Sequence, residues 1–179
     1  TAAHQAAEHG DVAMLQYLNQ SVGRLFLRTP RKDGSTIAHL AARAGSESSG
    51  LRVLKLIAAD PGLGAVLLRR RTFHDKDTIA HSAAVRGNVE MLRWIHATLG
   101  ADFLRQRRKQ GLSSIAHLAA AEGSIATLEV IVELLGWRFV IEPDDNGDTP
   151  EVVATQCEQQ DVLLWFYDKK RRLREKHPG

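Results

Sequence analysis

One short sequence motif, called the repeated word below, recurs through the chain at a nearly constant interval. Residues 36–42 read TIAHLAA, residues 78–84 read TIAHSAA, and residues 114–120 read SIAHLAA. A related copy at residues 3–7 and a diverged copy at residues 149–154 bring the number to five. The equivalent position in each copy, which we call the marker position, is spaced 35, 42, 36 and 35 residues from one copy to the next. It is occupied by His4, His39, His81, His117 and Val152. Such spacing is typical of proteins that stack copies of one supersecondary unit, so the sequence predicts a repeat fold.

Each unit carries the signals of two consecutive helices. A hydroxyl residue that can cap a helix N-terminus precedes the Ala-rich word. These caps are Thr36, Thr78, Ser114 and Thr149. We expect the first helices to end at glycines in the left-handed conformation, namely Gly10, Gly45, Gly87 and Gly123. In three units a new N-cap follows at once (Asp11, Asn88 and Ser124) and precedes apolar residues at helical spacing, which predicts the second helix.

A third shared segment follows the second helix. It begins with glycine and contains an apolar pair, at residues 23–27, 64–68, 100–104 and 136–140. We expect the glycine to end the second helix and the apolar pair to anchor an extended loop. This loop passes through Asp33-Gly34 in one unit and Asn146-Gly147 in another, dipeptides that favour tight turns. Each unit is therefore predicted to be helix, helix and projecting turn.

Three segments carry a family resemblance. Residues 33–42 read DGSTIAHLAA, residues 100–102 read GAD, and residues 146–150 read NGDTP. This pattern resembles the ankyrin repeat, with Ile and Ala in place of Pro and Leu in the central copies and Gln160 in place of an inter-helix glycine. The resemblance implies an all-α, ankyrin-like solenoid of about five stacked helix-turn-helix repeats with projecting β-turn or hairpin loops. It also implies that the turns and first helices line a concave face used for partners.

The repeats predict a single domain over residues 1–168, followed by a basic C-terminal helix extension over residues 169–179. The predicted repeat bounds are about 1–32, 33–74, 75–110, 111–145 and 146–168. An apolar content of 44% and a charged content of 25% are normal for a globular domain. Terminal units of a stack need polar caps, which the basic extension supplies at one end. The N-terminus shows no comparable cap, so we expect further repeats before Thr1 or a frayed first unit.

The single cysteine and the hydropathy pattern bear on location. Cys157 cannot form an internal disulfide, which favours an intracellular setting, cytoplasmic with a nuclear location as the alternative. We predict Cys157 to be a small buried helix residue rather than a reactive thiol. No apolar run approaches the roughly 18 residues of a membrane helix, and the first residues do not resemble a secretory signal.

The sequence offers no catalytic or metal-binding constellation. The four repeated histidines lie on helices expected to be about 8–10 Å apart, whereas zinc needs ligand atoms about 2 Å from the ion. Each is therefore predicted to bond loop backbone and the preceding hydroxyl. Residues 144–148 are similar to the start of a calcium loop, but the twelfth position is Thr155 instead of Glu, which favours a solvated turn. We predict no enzyme activity, no cofactor and no metal.

Basic residues accumulate in the projecting turns. The first three turns have net charges of +3, +2 and +3, whereas the fourth has −3. Because stacked units place equivalent residues side by side, we expect Arg28, Arg69 and Arg105 to align as a column. An acidic ligand would relieve the repulsion within it, and arginine suits bidentate contact with carboxylate or phosphate. The predicted partner-binding residues are Arg28, Arg31, Lys32, Arg43, Arg69, Arg70, Arg71, Arg86, Arg105, Arg107, Arg108 and Lys109.

These observations favour a non-catalytic protein interaction module that binds an acidic protein segment. A solvated loop face without a ligand is the simpler explanation of the same charges. Nucleic-acid binding along the column is an alternative, although Phe73 is the only plausible stacking aromatic in the turns. A spacer or self-assembly role within a larger protein is a third interpretation, and the sequence leaves the oligomeric state open. The basic extension is expected to cap the last helix, with nucleic acid, anionic lipid or nuclear entry as alternatives.

Overall fold

A computed structural model describes residues 1–109, 111 and 113–176. This part of the chain is all-helical, with fourteen helices and no strand. The predicted end of the third repeat, residue 110, and the last three residues of the predicted extension lie outside the described residues. In chain order the helices are α1 Ala2–His9, α2 Val12–Ser21, α3 Arg24–Arg28, α4 Ile37–Ala42, α5 Glu47–Ala59, α6 Pro61–Leu67, α7 Ile79–Arg86, α8 Val89–Leu99, α9 Ala101–Leu104, α10 Ile115–Ala121, α11 Ile125–Leu135, α12 Trp137–Val140, α13 Pro150–Gln156 and α14 Gln160–Lys176.

The helices pack in chain order as two layers. Each first helix contacts the first helix of the next unit, through α1, α4, α7, α10 and α13. The second helices contact one another in the same way, through α2, α5, α8, α11 and α14. The repeated word supplies small residues to the first layer: Ala38, Ala80 and Ala116 are fully buried, which lets neighbouring helices approach closely. Larger apolar residues such as Leu54 and Ile95 fill the space beneath.

Most of the predicted helix ends are confirmed. The Thr78 side chain accepts a hydrogen bond from the His81 amide, and the Asp11 side chain accepts one from the Met14 amide. Gly10 and Gly87 end their helices in the left-handed conformation, with φ of 73° and 70°.

One predicted helix end and one predicted side-chain cap are wrong. Helix α4 ends at Ala42 instead of Gly45: Gly45 does not adopt the left-handed conformation, and α5 begins soon afterwards, at Glu47. Asn88 directly precedes α8, but its Nδ2 donates to the Ala42 carbonyl of the preceding unit at 2.9 Å instead of capping its own helix.

The segment predicted to be an extended loop is a short third helix in four units, namely α3, α6, α9 and α12. Gly23, Gly100 and Gly136 have φ of 97°, 88° and 87°, which turns the chain sharply out of the second helix and into the third. The apolar pair is buried, as at Phe103 and Leu104. Burying this pair in the hydrophobic core stabilises a helix too short to persist alone.

The projecting turns are bonded to one another by equivalent backbone hydrogen bonds. The Phe73 amide donates to the Asp33 carbonyl at 2.8 Å, and the Lys109 amide donates to the Asp75 carbonyl at 2.7 Å. In the same way, the Asp145 amide of the fourth turn donates to the Gly111 carbonyl of the third turn at 3.0 Å. The units are therefore in register at their turns as well as along their helices.

The last unit differs from the others. Helix α14 continues without interruption through residue 168, so the first part of the predicted extension belongs to this helix. Trp137 on α12 packs against Trp165 and Phe166 on α14, with ring centroids 5.9 and 6.0 Å away. Cys157 is exposed, so the prediction that it is buried is wrong: it directly follows α13, at the position that the exposed Arg86 and Glu122 occupy in earlier units. No helix of the described ranges has both the length and the apolar content needed to cross a membrane.

Candidate functional site

Two of the repeated histidines connect their unit to the turn of the next. His39 Nδ1 accepts from the Thr36 amide at 3.3 Å, and its Nε2 lies 3.1 Å from the Asp77 carbonyl oxygen. His117 makes the same pair of contacts, to the Ser114 amide at 3.2 Å and the Asp148 carbonyl at 2.9 Å. Because Nδ1 accepts an amide hydrogen, Nε2 carries the ring proton and donates to the carbonyl. The predicted structural role is confirmed for these two histidines.

Burial keeps these histidines neutral. It lowers the pKa of His4, His39 and His117, and it lowers the pKa of His81 to about 3, with Arg108 and Arg71 adding to the effect. The His81 Nδ1 accepts from the Thr78 amide at 3.2 Å and lies 2.8 Å from the Thr78 hydroxyl. Among the described residues, no group of three or more His, Cys, Asp or Glu could hold a metal ion.

Three of the predicted partner-binding arginines hold the turns together. Arg71 donates through Nε to the Lys76 carbonyl at 2.7 Å and through its guanidinium to the Arg107 carbonyl. Arg107 forms an ion pair with Glu142 at 2.8 Å. Arg108 forms ion pairs with two carboxylates of the preceding turn, at 3.3 Å with Asp75 and 2.7 Å with Asp77.

Two further arginines link third helices to the next unit. Arg28 donates to the Gly62 carbonyl, and Arg105 donates to the Leu135 carbonyl at 3.2 Å while its guanidinium lies 5.6 Å from the Phe139 ring centroid. Residues at these equivalent positions therefore stabilise the junctions between units. Five of the predicted partner-binding arginines, including Arg28 and Arg105 of the expected column, therefore make intramolecular contacts.

Three other arginines meet in one concavity. Arg31, Arg43 and Arg86 line a depression of about 230 Å³ together with Glu8 and Leu40. All three arginines are exposed, and within the described part of the chain their guanidinium groups have no hydrogen bond or ion pair. We call this group the arginine concavity. It joins the end of first helices to a turn and collects residues from three consecutive units.

The remaining predicted residues lie outside the lining of the concavity. Lys32, Arg69 and Lys109 are exposed, and Arg70 is partly exposed. They add positive charge to the turns. The assignment of all twelve basic residues to partner binding stays a prediction.

Sequence reasoning missed two residues of the concavity. Glu8 follows His4 by four residues, as Arg43 follows His39. Alignment of the repeats would therefore have placed the Glu8 carboxylate beside the Arg43 guanidinium. Leu40 is only 6% exposed and forms an apolar part of the lining. No feature of the repeated word distinguishes a residue that lines a surface depression from one that lies wholly in the core.

Comparison with known proteins adds no family. No protein-family model matches the chain, and no curated protein matches it. The function is therefore inferred from the chain's own residues and their geometry.

Proposed function

We propose that the protein is a non-catalytic interaction module, an ankyrin-like solenoid that binds an acidic segment of another protein. Support for the solenoid comes from the two layers packed in chain order and from the turn-to-turn hydrogen bonds. The observation that carries the binding proposal is the arginine concavity, in which three exposed guanidinium groups surround one depression.

The electrostatics of the concavity favour an anionic partner. Like charges that line one depression repel, and the repulsion grows where apolar groups such as Leu40 exclude water. A carboxylate placed among the arginines removes the repulsion and gains bidentate hydrogen bonds. Binding is therefore expected to weaken as salt rises. The neighbouring Lys32, Arg69, Arg70 and Lys109 would speed the approach of an acidic segment rather than contact it.

Charge reversal separates local contact from overall charge. A fluorescein-labelled peptide of alternating glutamate and serine is titrated with the wild-type chain, with Arg43→Glu/Arg86→Glu, and with the control Arg52→Glu/Lys55→Glu. Both variants change the net charge equally, but Arg52 and Lys55 lie exposed on the second-layer helix α5, outside the concavity. Fluorescence anisotropy gives the affinity, and circular dichroism melting shows that each variant is folded.

The expected result is binding by the wild type and the control, with at least about tenfold weaker binding by Arg43→Glu/Arg86→Glu. Equal weakening by both variants would show that net charge alone attracts the peptide, and the concavity would lose its role. Failure of the wild type to bind at low salt, or preferential retardation of random DNA or RNA in a gel shift, would reject the acidic-protein proposal.

A further inference from the structure

The basic area around the concavity is bounded by acids along the stack. Glu8 lines the concavity from the first unit. Glu122 occupies, in the fourth unit, the position that Arg86 occupies in the third, five residues after the marker histidine, and it is exposed. The fourth turn adds two more carboxylates, that of Asp144, which is partly exposed, and that of Asp145, which is exposed. A long acidic ligand along the first helices would therefore place part of its charge beside carboxylates.

A compact dianion avoids this conflict. A phosphorylated side chain carries a charge of about −1.5 to −2 at pH 7 and three acceptor oxygens on one group. Arginine guanidinium groups match those oxygens with paired N–H donors, and charge-assisted bonds of this kind are about twice as strong as neutral ones. The depression of about 230 Å³ accommodates one such group, and Leu40 offers an apolar surface to the carbon atoms that carry the phosphate.

We propose that the arginine concavity binds a phosphorylated side chain of a partner polypeptide. Arg31, Arg43 and Arg86 contact the phosphate oxygens, and the Glu8 carboxylate opposes binding from the side of the first unit. This inference depends on the proposed function in one respect, namely that the concavity is the partner-binding site. It differs in the ligand, which is a single phosphate monoester instead of a series of carboxylates.

The test uses oriented peptide libraries. One library has phosphoserine at the centre and random flanking residues, a second has glutamate at the centre, and both are labelled and measured by anisotropy at the same ionic strength. The chains compared are the wild type, Arg43→Gln/Arg86→Gln, Glu8→Gln and the control Arg52→Gln/Lys55→Gln. Inorganic phosphate is added as a competitor to distinguish a phosphorylated polypeptide from free phosphate.

We expect the phosphoserine library to bind about tenfold more tightly than the glutamate library. Arg43→Gln/Arg86→Gln should abolish that preference, the control should keep it, and Glu8→Gln should strengthen phosphoserine binding about threefold because a like charge is removed. Inorganic phosphate should compete more weakly than the phosphoserine library, since it lacks the flanking residues.

Three results would overturn the inference: equal affinity for both libraries, unchanged preference in Arg43→Gln/Arg86→Gln, or inorganic phosphate binding as tightly as the phosphopeptides. Equal affinity that still depends on Arg43 and Arg86 would reject phosphate recognition and leave the proposed function standing. Absence of binding to either library, together with failure of the glutamate and serine peptide, would reject both.

Discussion

Protonation of His81 should destabilise the folded protein in mild acid. Its imidazole is almost fully buried, and its Nδ1 is occupied by the Thr78 amide hydrogen, so a proton there would set two donors against each other. The pKa of His81 is about 3 in the folded protein and 6.5 in the reference state. Below pH 6.5 the unfolded chain binds a proton that the folded chain does not, so stability falls as the pH falls towards the folded pKa.

The size of the effect follows from the two pKa values. About two pH units below 6.5, at about pH 4.5, the loss of unfolding free energy from His81 alone is about 3 kcal/mol. His81→Gln removes the titration but keeps an acceptor at the third helical position, where glutamine can accept from the capping residue's amide. It should cost about 1–2 kcal/mol at pH 7 through imperfect packing and hydrogen bonding.

Urea unfolding of both chains, followed by circular dichroism at a series of pH values, measures the difference. The other titrating groups are common to both chains, so their contributions cancel in the comparison. The wild type should be the more stable chain at pH 7 and the less stable one at about pH 4.5, with crossing stability curves. Parallel curves would show that His81 does not lower stability through protonation and would refute the reasoning.

Three further experiments test the packing: a comparison of two glycine substitutions, one core substitution and one thiol reaction. Gly34→Ala should destabilise the protein by at least about 1 kcal/mol more than Gly147→Ala in thermal melts. Both glycines have positive φ (87° and 84°), a conformation that is unfavourable for alanine by about 1–2 kcal/mol. Only at Gly34 would the added Cβ also lie 2.5 Å from the Phe73 amide nitrogen. Equal losses of stability in the two variants would contradict this close approach. Phe166→Ala should cost about 3–5 kcal/mol in urea unfolding because the ring is fully buried, and a loss under about 1 kcal/mol would contradict its place in the core. Native Cys157 should react with a chromogenic disulfide reagent as fast as in the unfolded chain, and protection would restore the original prediction of burial.

The sequence predicted the features that depend on local chemistry. The caps at Thr78 and Asp11 and the left-handed glycine at Gly87 act on their own helix, so their residue types are informative without knowledge of the fold. The role of His39 was also accessible, because the same residue recurs beside a hydroxyl in four units.

The third helices and the state of the arginines could not be predicted in the same way. A helix of four residues such as α9 has too few positions to show a period, and its stability comes from burial of Phe103 and Leu104 in the core. The ion pair of Arg108 with Asp77 joins residues 31 positions apart, and it forms only because consecutive turns lie side by side. Their positive charge alone led to the same prediction of partner binding for Arg108 and Arg43. Packing of the turns places Arg108 in ion pairs and leaves Arg43 exposed.

Both proposals require that packing in register brings residues of three units into one depression. The most direct measurement is paramagnetic broadening in the Cys157→Ser background, with a nitroxide label at Arg86→Cys and the amide signals of the whole chain recorded. Strong broadening of the signals of Glu8, Arg31 and Arg43, with little at Lys55, is the predicted result. Unbroadened signals at Arg31 and Glu8 would place the three arginines apart and contradict the arginine concavity.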